Sequence, residues 1–185
     1  HVIYPETNDE GERDLWVPDY GSGRLLRVTA TEVERVAEGM DGPWGLIPLE
    51  DDTFLISIRI IGSVEIITRT GERTEIVTGL SLPTGIAHDG SYLYVANSGD
   101  PARAIEWFEY SVGDAHPGES GLLVEGLGGV MNIQFGPDGL LYFAYGDGGL
   151  GVVGRIDPAT CRANGGCTAD DVERMVETDL PVPLA

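Results

Sequence analysis

Leu82-Pro83-Thr84-Gly85-Ile86-Ala87-His88-Asp89-Gly90-Ser91-Tyr92-Leu93-Tyr94-Val95-Ala96-Asn97 reads as a short apolar strand, a tight Asp-Gly turn, and a second apolar strand that ends on a polar residue. A looser copy lies upstream, from Gly42-Pro43-Trp44-Gly45-Leu46 through Glu50-Asp51-Asp52 to Phe54-Leu55-Ile56-Ser57-Ile58. Another lies downstream, from Met131-Asn132-Ile133-Gln134-Phe135 through Gly136-Pro137-Asp138-Gly139 to Tyr142-Phe143-Ala144-Tyr145-Gly146-Asp147. The second strand recurs alone as Leu15-Trp16-Val17-Pro18-Asp19. Aligned on Leu15, Phe54, Leu93 and Leu141, the copies are 39, 39 and 48 residues apart. A period of about 40 with several short strands per unit is the mark of an all-β array of β-propeller type.

Each unit has room for four strands. The patterning predicts strands over 14–19, 24–29 and 32–37, preceded by an innermost strand at Val2-Ile3-Tyr4. The cycle restarts with 45–49, 54–58, 63–68 and 74–78, and again with 85–87, 92–97, 104–110 and 121–125. A fourth cycle covers 132–135, 140–145, 151–156 and 172–177, with Thr168 as an alternative cap for a short helix. The expected architecture is a propeller of four-stranded antiparallel blades, four of them, with limits near 1–40, 41–80, 81–127 and 128–180. Such a sheet must pack against its neighbours, because alone it leaves apolar faces in water. The end, Leu180-Pro181-Val182-Pro183, resembles Leu80-Ser81-Leu82-Pro83, so a fifth unit is expected to begin there; the start at His1, not Met, also suggests part of a longer chain.

The formal charge is −20, and all basic residues are Arg. This surface repels nucleic acid and anionic membranes, so neither is an expected partner. The acidic residues are scattered through turns, which reads as a solvated surface or as a field steering a cation or cationic partner. No apolar run approaches the roughly 18 residues of a membrane span. Cys161 and Cys167 flank Gly165 and Gly166 and are expected to form a loop disulfide, which places the protein outside the cytoplasm, secreted or periplasmic. A two-Cys metal site is the alternative, but the neighbourhood supplies no further ligands.

Pro83-Thr84-Gly85-Ile86-Ala87, Asp89-Gly90 and Leu93-Tyr94-Val95-Ala96-Asn97 resemble the NHL-repeat and SMP-30/gluconolactonase-like propellers. The resemblance runs over the whole chain and implies four consecutive blades of a six-bladed ring. Gly136-Pro137-Asp138-Gly139-Leu140-Leu141-Tyr142 with Gly146-Asp147-Gly148-Gly149 also resembles a segment of the glucose/sorbosone dehydrogenase propellers. Lactonase members of the first group hold Ca2+ or another divalent metal on the axis, through residues at the starts of the first strands. Those positions here are Trp44, Thr84 and Met131, poor ligands for a hard cation, with Asn132 one place away. The quinone-dependent dehydrogenases place a His before Gly-Pro-Asp-Gly, and Gly128-Gly129-Val130-Met131-Asn132 has none. No cofactor is evident in the chain itself. The resemblance therefore implies a binding module for a small molecule or a protein. Two alternatives are a metal-dependent lactonase with ligands on further blades, and a sugar dehydrogenase-like propeller. If the chain were complete, it would close as four blades, or two chains would pair into a larger ring as a homodimer.

If first strands descend from the top, second strands end there, at Asp19, Arg59, Asn97 and Asp147. With Trp44, Thr84, Met131 and Asn132 these form the expected ligand-binding mouth of the channel. The competing reading gives Asp19, Asn97 and Asp147 to turn capping. His88 and His116 read as structural and exposed, respectively, and His1 as a remote copper clamp; Trp107 and Phe108 read as packing.

Overall fold

The structure is a computed structural model, and it describes residues 3–7 and 11–178. It is all-β, with four antiparallel four-stranded blades arranged as a β-propeller. The first blade comprises β1 (Tyr4–Thr7), β2 (Arg13–Asp19), β3 (Arg24–Val28) and β4 (Val33–Ala37). The second comprises β5 (Pro43–Pro48), β6 (Thr53–Ile58), β7 (Ser63–Thr68) and β8 (Arg73–Val77). The third comprises β9 (Pro83–His88), β10 (Tyr92–Asn97), β11 (Ile105–Glu109) and β12 (Ser120–Glu125). The fourth comprises β13 (Ile133–Phe135), β14 (Leu141–Asp147), β15 (Leu150–Ile156) and β17 (Glu173–Thr178). Strand order within each blade follows the chain. The innermost strand of the first blade lies at Tyr4–Thr7, later than the Val2-Ile3-Tyr4 patch, because Tyr4 pairs with Trp16 and Thr7 with Arg13. The expected start of a fifth unit, 180–185, and the copper reading of His1 fall outside the described residues.

The second strands show why the blades stack. Phe54, Ile56 and Ile58 pack with Trp16, Leu25 and Met40 in one seam, while Leu55, between them, packs with Leu93 and Val95 in the next. Tyr94 and Ala96 in turn face Phe143 and Tyr145 of the fourth blade. Successive strand residues point to opposite faces, so a continuous apolar run buries both. Each largely buried Leu, Ile or Phe contributes about 1.5–3 kcal/mol, and the seams hold most of them.

Near the axis the seams narrow until only glycine fits. A Cβ on Gly45 would sit 2.5 Å from the Thr84 carbonyl oxygen, and one on Gly85 would sit 2.5 Å from the Ile133 nitrogen. Hydroxyls tie these approaches together. Ser57 Oγ accepts from the Gly45 N–H at 2.8 Å and donates to the Thr84 carbonyl at 2.7 Å, joining the second and third blades. Thr84 Oγ1 donates to the Val130 carbonyl at 2.9 Å, joining the third blade to the fourth.

The long loop of the fourth blade holds the expected cysteine pair and, after Thr168, a short helical turn ahead of the last strand. It folds into helix α1 (Pro158–Ala163), capped by Asp157, and then a 3-10 turn (Ala169–Asp171) whose capping box uses Thr168. Between them β16 (Cys167–Thr168) pairs in parallel with β12, adding a fifth strand to the third blade. Cys161 and Cys167 form a disulfide. Arg162 stacks 3.8 Å from the Tyr92 ring centroid and also donates to the Tyr94 hydroxyl. This insertion therefore clamps the fourth blade onto the third.

Candidate functional site

First strands are sheet edges. One side of each pairs with a second strand, and the other faces the propeller axis. Three such edges bound a cavity of about 1160 Å³. Its walls are Gly45 to Glu50, Gly85 to Gly90, and Asn132 to Phe135, closed by Ser111, Val112 and Gly139 from turns. Unbroken runs of residues line it, whichever face their side chains take, as expected of a wall made of backbone edges.

Among the polar side chains of that wall, Asn132 and Gln134 are exposed and make no protein hydrogen bond among the described residues. Glu50 is likewise exposed in the turn after β5. Asp89 is different. Its Oδ1 accepts from the Ser91 and Tyr92 N–H groups at 3.0 and 2.8 Å, and its Oδ2 from the Tyr94 hydroxyl at 2.8 Å. His88, which the pattern suggests is structural, does pack on Tyr110 but also borders the cavity. Phe135 supplies the aromatic wall and meets Tyr94 edge-on at 5.4 Å.

The other residues expected at the mouth are engaged within the fold. Trp44 is buried, with the Arg59 guanidinium 5.1 Å from its ring centroid and Tyr20 edge-on at 5.5 Å. Arg59 reaches Ser98 of the third blade at 3.2 Å. Thr84 is fully buried, its hydroxyl engaged in the seam. Asn97 is fully buried too: its Oδ1 accepts from the Ser81 N–H, and its Nδ2 donates to the Arg103 carbonyl and Glu106. Asp19 accepts from the Gly21 N–H and the Ser22 hydroxyl in its own turn, and those bonds hold its carboxyl below the usual range, the serine contributing most. Asp147 pairs with Arg174 at 2.7 Å. The Met131 N–H donates to the Ala144 carbonyl. Of the eight, Asn132 is the one that lines the cavity.

Trp44, Thr84 and Met131, at the starts of the first strands, do not fit a divalent cation. An indole offers no lone pair, the Thr84 hydroxyl is turned to a carbonyl, and a thioether is a soft donor. No group of three His, Cys, Asp or Glu with metal-holding geometry occurs among the described residues. Periodicity could not have marked the cavity side chains, but one signal was present: the polar residues His88 and Gln134 in the mainly apolar inner strands of the third and fourth blades, with Asn132 just before the latter.

No family model and no curated protein matches the sequence. Solved structures do. A gluconolactonase from Xanthomonas campestris aligns with a TM-score of 0.65 at 15% identity, covering 97% of this chain and 61% of that one. The fold is that of the gluconolactonase-like propellers. A catalytically inactive virginiamycin B lyase from Staphylococcus aureus, solved with quinupristin, aligns with a TM-score of 0.61 at 17% identity, covering 98% of this chain and 56% of that one. The PQQ-bound aldose sugar dehydrogenase from Streptomyces coelicolor aligns with a TM-score of 0.55 at 24% identity, over 66% of this chain and 46% of the other. The chain thus spans between 46% and 61% of the length of these gluconolactonase-like and related propellers. At such identities the likeness carries the fold and not the chemistry.

Proposed function

We propose that the chain carries the binding part of a propeller that takes a small, neutral, hydroxylated molecule of the sugar or sugar-lactone class in its axial cavity. The observation that carries this reading is the set of polar groups on two adjacent blade edges: Asn132 and Gln134 on the fourth blade, whose side chains meet no partner among the described residues, and His88 on the third, beside the Phe135 ring. Amide side chains both donate and accept, which suits hydroxyl groups, and a flat aromatic ring suits the apolar face of a sugar. The fold neighbours that act on sugars or their lactones support the same class. The Cys161–Cys167 disulfide supports an oxidising compartment, secreted or periplasmic.

Lactone hydrolysis is the second reading, favoured by the gluconolactonase fold neighbours. The residues at the strand starts do not supply a metal-dependent version of it, so its ligands would have to come from further blades. The test is saturation-transfer NMR of the full chain with D-glucose, D-galactose and their 1,5-lactones. Transfer to at least one sugar, lost in the Asn132→Leu/Gln134→Leu double variant, is the expected result. Absence of transfer from all four, or a double variant that binds as the native chain does, refutes the reading. Lactone turnover that needs added Ca2+ would favour the second.

A further inference from the structure

His88 ends β9 and borders the cavity, and its ring stands edge-on to Tyr110 with centroids 5.8 Å apart. Its Nε2 lies 2.9 Å from the Tyr110 backbone carbonyl. A carbonyl only accepts, so Nε2 carries the hydrogen. In the neutral ring the lone pair then stays on Nδ1, which meets no donor among the described residues. A backbone oxygen, unable to reverse its role, thus fixes the polarity of a ring that borders the cavity. The amides of Asn132 and Gln134 can turn either end toward a ligand; His88 cannot.

The rim of the cavity is acidic. Glu50 and Asp89 line the cavity, and no Arg among the described residues does. Asp51 lies in the turn beside Glu50, and Asp114 closes the 111–114 turn by accepting from the Ser111 N–H. We propose that His88 is the fixed hydrogen-bond acceptor of the cavity, and that it makes the cavity select neutral hydroxylated molecules over their carboxylate counterparts. This rests on the binding reading above. A ligand hydroxyl donates to Nδ1. A carboxylate brings a second acceptor to that point and meets the acidic rim, with no guanidinium among the described lining residues to receive it.

Two measurements test it. Two-bond proton–nitrogen correlation spectra of the 15N-labelled, ligand-free chain should show the Nε2–H tautomer for His88, assigned by loss of the signals in His88→Gln. NMR titrations with D-glucose against D-glucuronate, and D-galactose against D-galacturonate, should show the neutral sugar binding at least about fivefold more tightly, the worth of one hydrogen bond. His88→Phe keeps the ring on Tyr110 but removes Nδ1, and should weaken the neutral sugar by about the same factor. His88→Gln should restore it, its amide N–H taking the Tyr110 carbonyl and its oxygen standing in for Nδ1. An Nδ1–H tautomer, equal binding of the paired sugars, or unaltered binding by the Phe variant overturns the proposal. Binding of neither sugar refutes the sugar-class reading and this selectivity with it. The tautomer spectrum, taken without ligand, distinguishes that failure from a wrong assignment of His88.

Discussion

Thr84→Val separates a seam residue from a ligand residue. Thr84 is fully buried, and its Oγ1 donates to the Val130 carbonyl at 2.9 Å, with the Ala96 carbonyl at 3.3 Å. Valine has nearly the same shape and the same β-branch, so neither a cavity nor a strand penalty follows. What is lost is the donor to a buried carbonyl of the next blade, at a cost of about 1–3 kcal/mol. For a chain of this size, about 2 kcal/mol lowers Tm by roughly 4–8 °C. Thermal unfolding followed by circular dichroism, with urea titration for the free energy, reads this directly. The variant is more apolar than the native chain, so a transfer scale alone would have it equally or more stable. A Thr84→Val chain with native Tm, or higher, refutes the inter-blade staple. Sugar binding lost at native stability would instead return Thr84 to the ligand site.

Three further outcomes follow from the same packing. Gly85→Ala should cost about 3 kcal/mol, the upper range for overpacking, because its Cβ would meet the backbone of Asn132 and Ile133 and not a side chain that can turn away; calorimetry checks it. Reducing the Cys161–Cys167 disulfide, which closes a sequence separation of 6, should cost about 2 kcal/mol by chain entropy. Hydrogen exchange should then speed in β12, which β16 covers, and unchanged exchange there would sink the clamp. Tyr110→Phe should leave stability at pH 7 unchanged or raise it by up to about 1 kcal/mol, since its buried hydroxyl finds no partner among the described residues. Burial pushes the Tyr110 phenol up from its usual value. Its neutral form therefore favours the fold fully below the unfolded value of about 10, and that contribution is lost as pH rises toward the folded value. Urea midpoints measured across the alkaline range should fall less steeply for the Phe variant.

Strand positions were legible because a strand has one period and a blade has two apolar faces. Phe54-Leu55-Ile56 announces both seams at once, and the Asp89-Gly90 turn fixes where the chain reverses. The 39-residue step then fixes the stacking. Helix α1 was not legible. Pro158 to Ala163 is too short to show a 3.6-residue period, and what holds it is the Asp157 cap, the disulfide and Arg162 against the Tyr92 ring of another blade. Such stabilisation is tertiary and leaves no local pattern.

The site was harder to read than the fold for a related reason. Residue pattern reports which face of a strand is buried, and the cavity is built on edges, where every residue of the strand contributes backbone whatever its side chain does. That is why Asp19, Asn97 and Thr84, polar and aligned at strand ends, fit the expected mouth although Asp19 and Asn97 hydrogen-bond within their blades and Thr84 bonds across the seam to the next. The useful signal was the opposite one: a polar residue where a first strand needs none for folding. Gln134 and Asn132 satisfy no group of the protein among the described residues, and their exposure on the axis costs packing that an apolar residue would provide. His88 differs from them in a way only the structure reveals. Its sequence neighbours, Ala87 and Asp89, say nothing of the Tyr110 carbonyl that orients its ring. In the neutral ring, which nitrogen keeps the lone pair is decided by one backbone oxygen, 22 residues away in the chain.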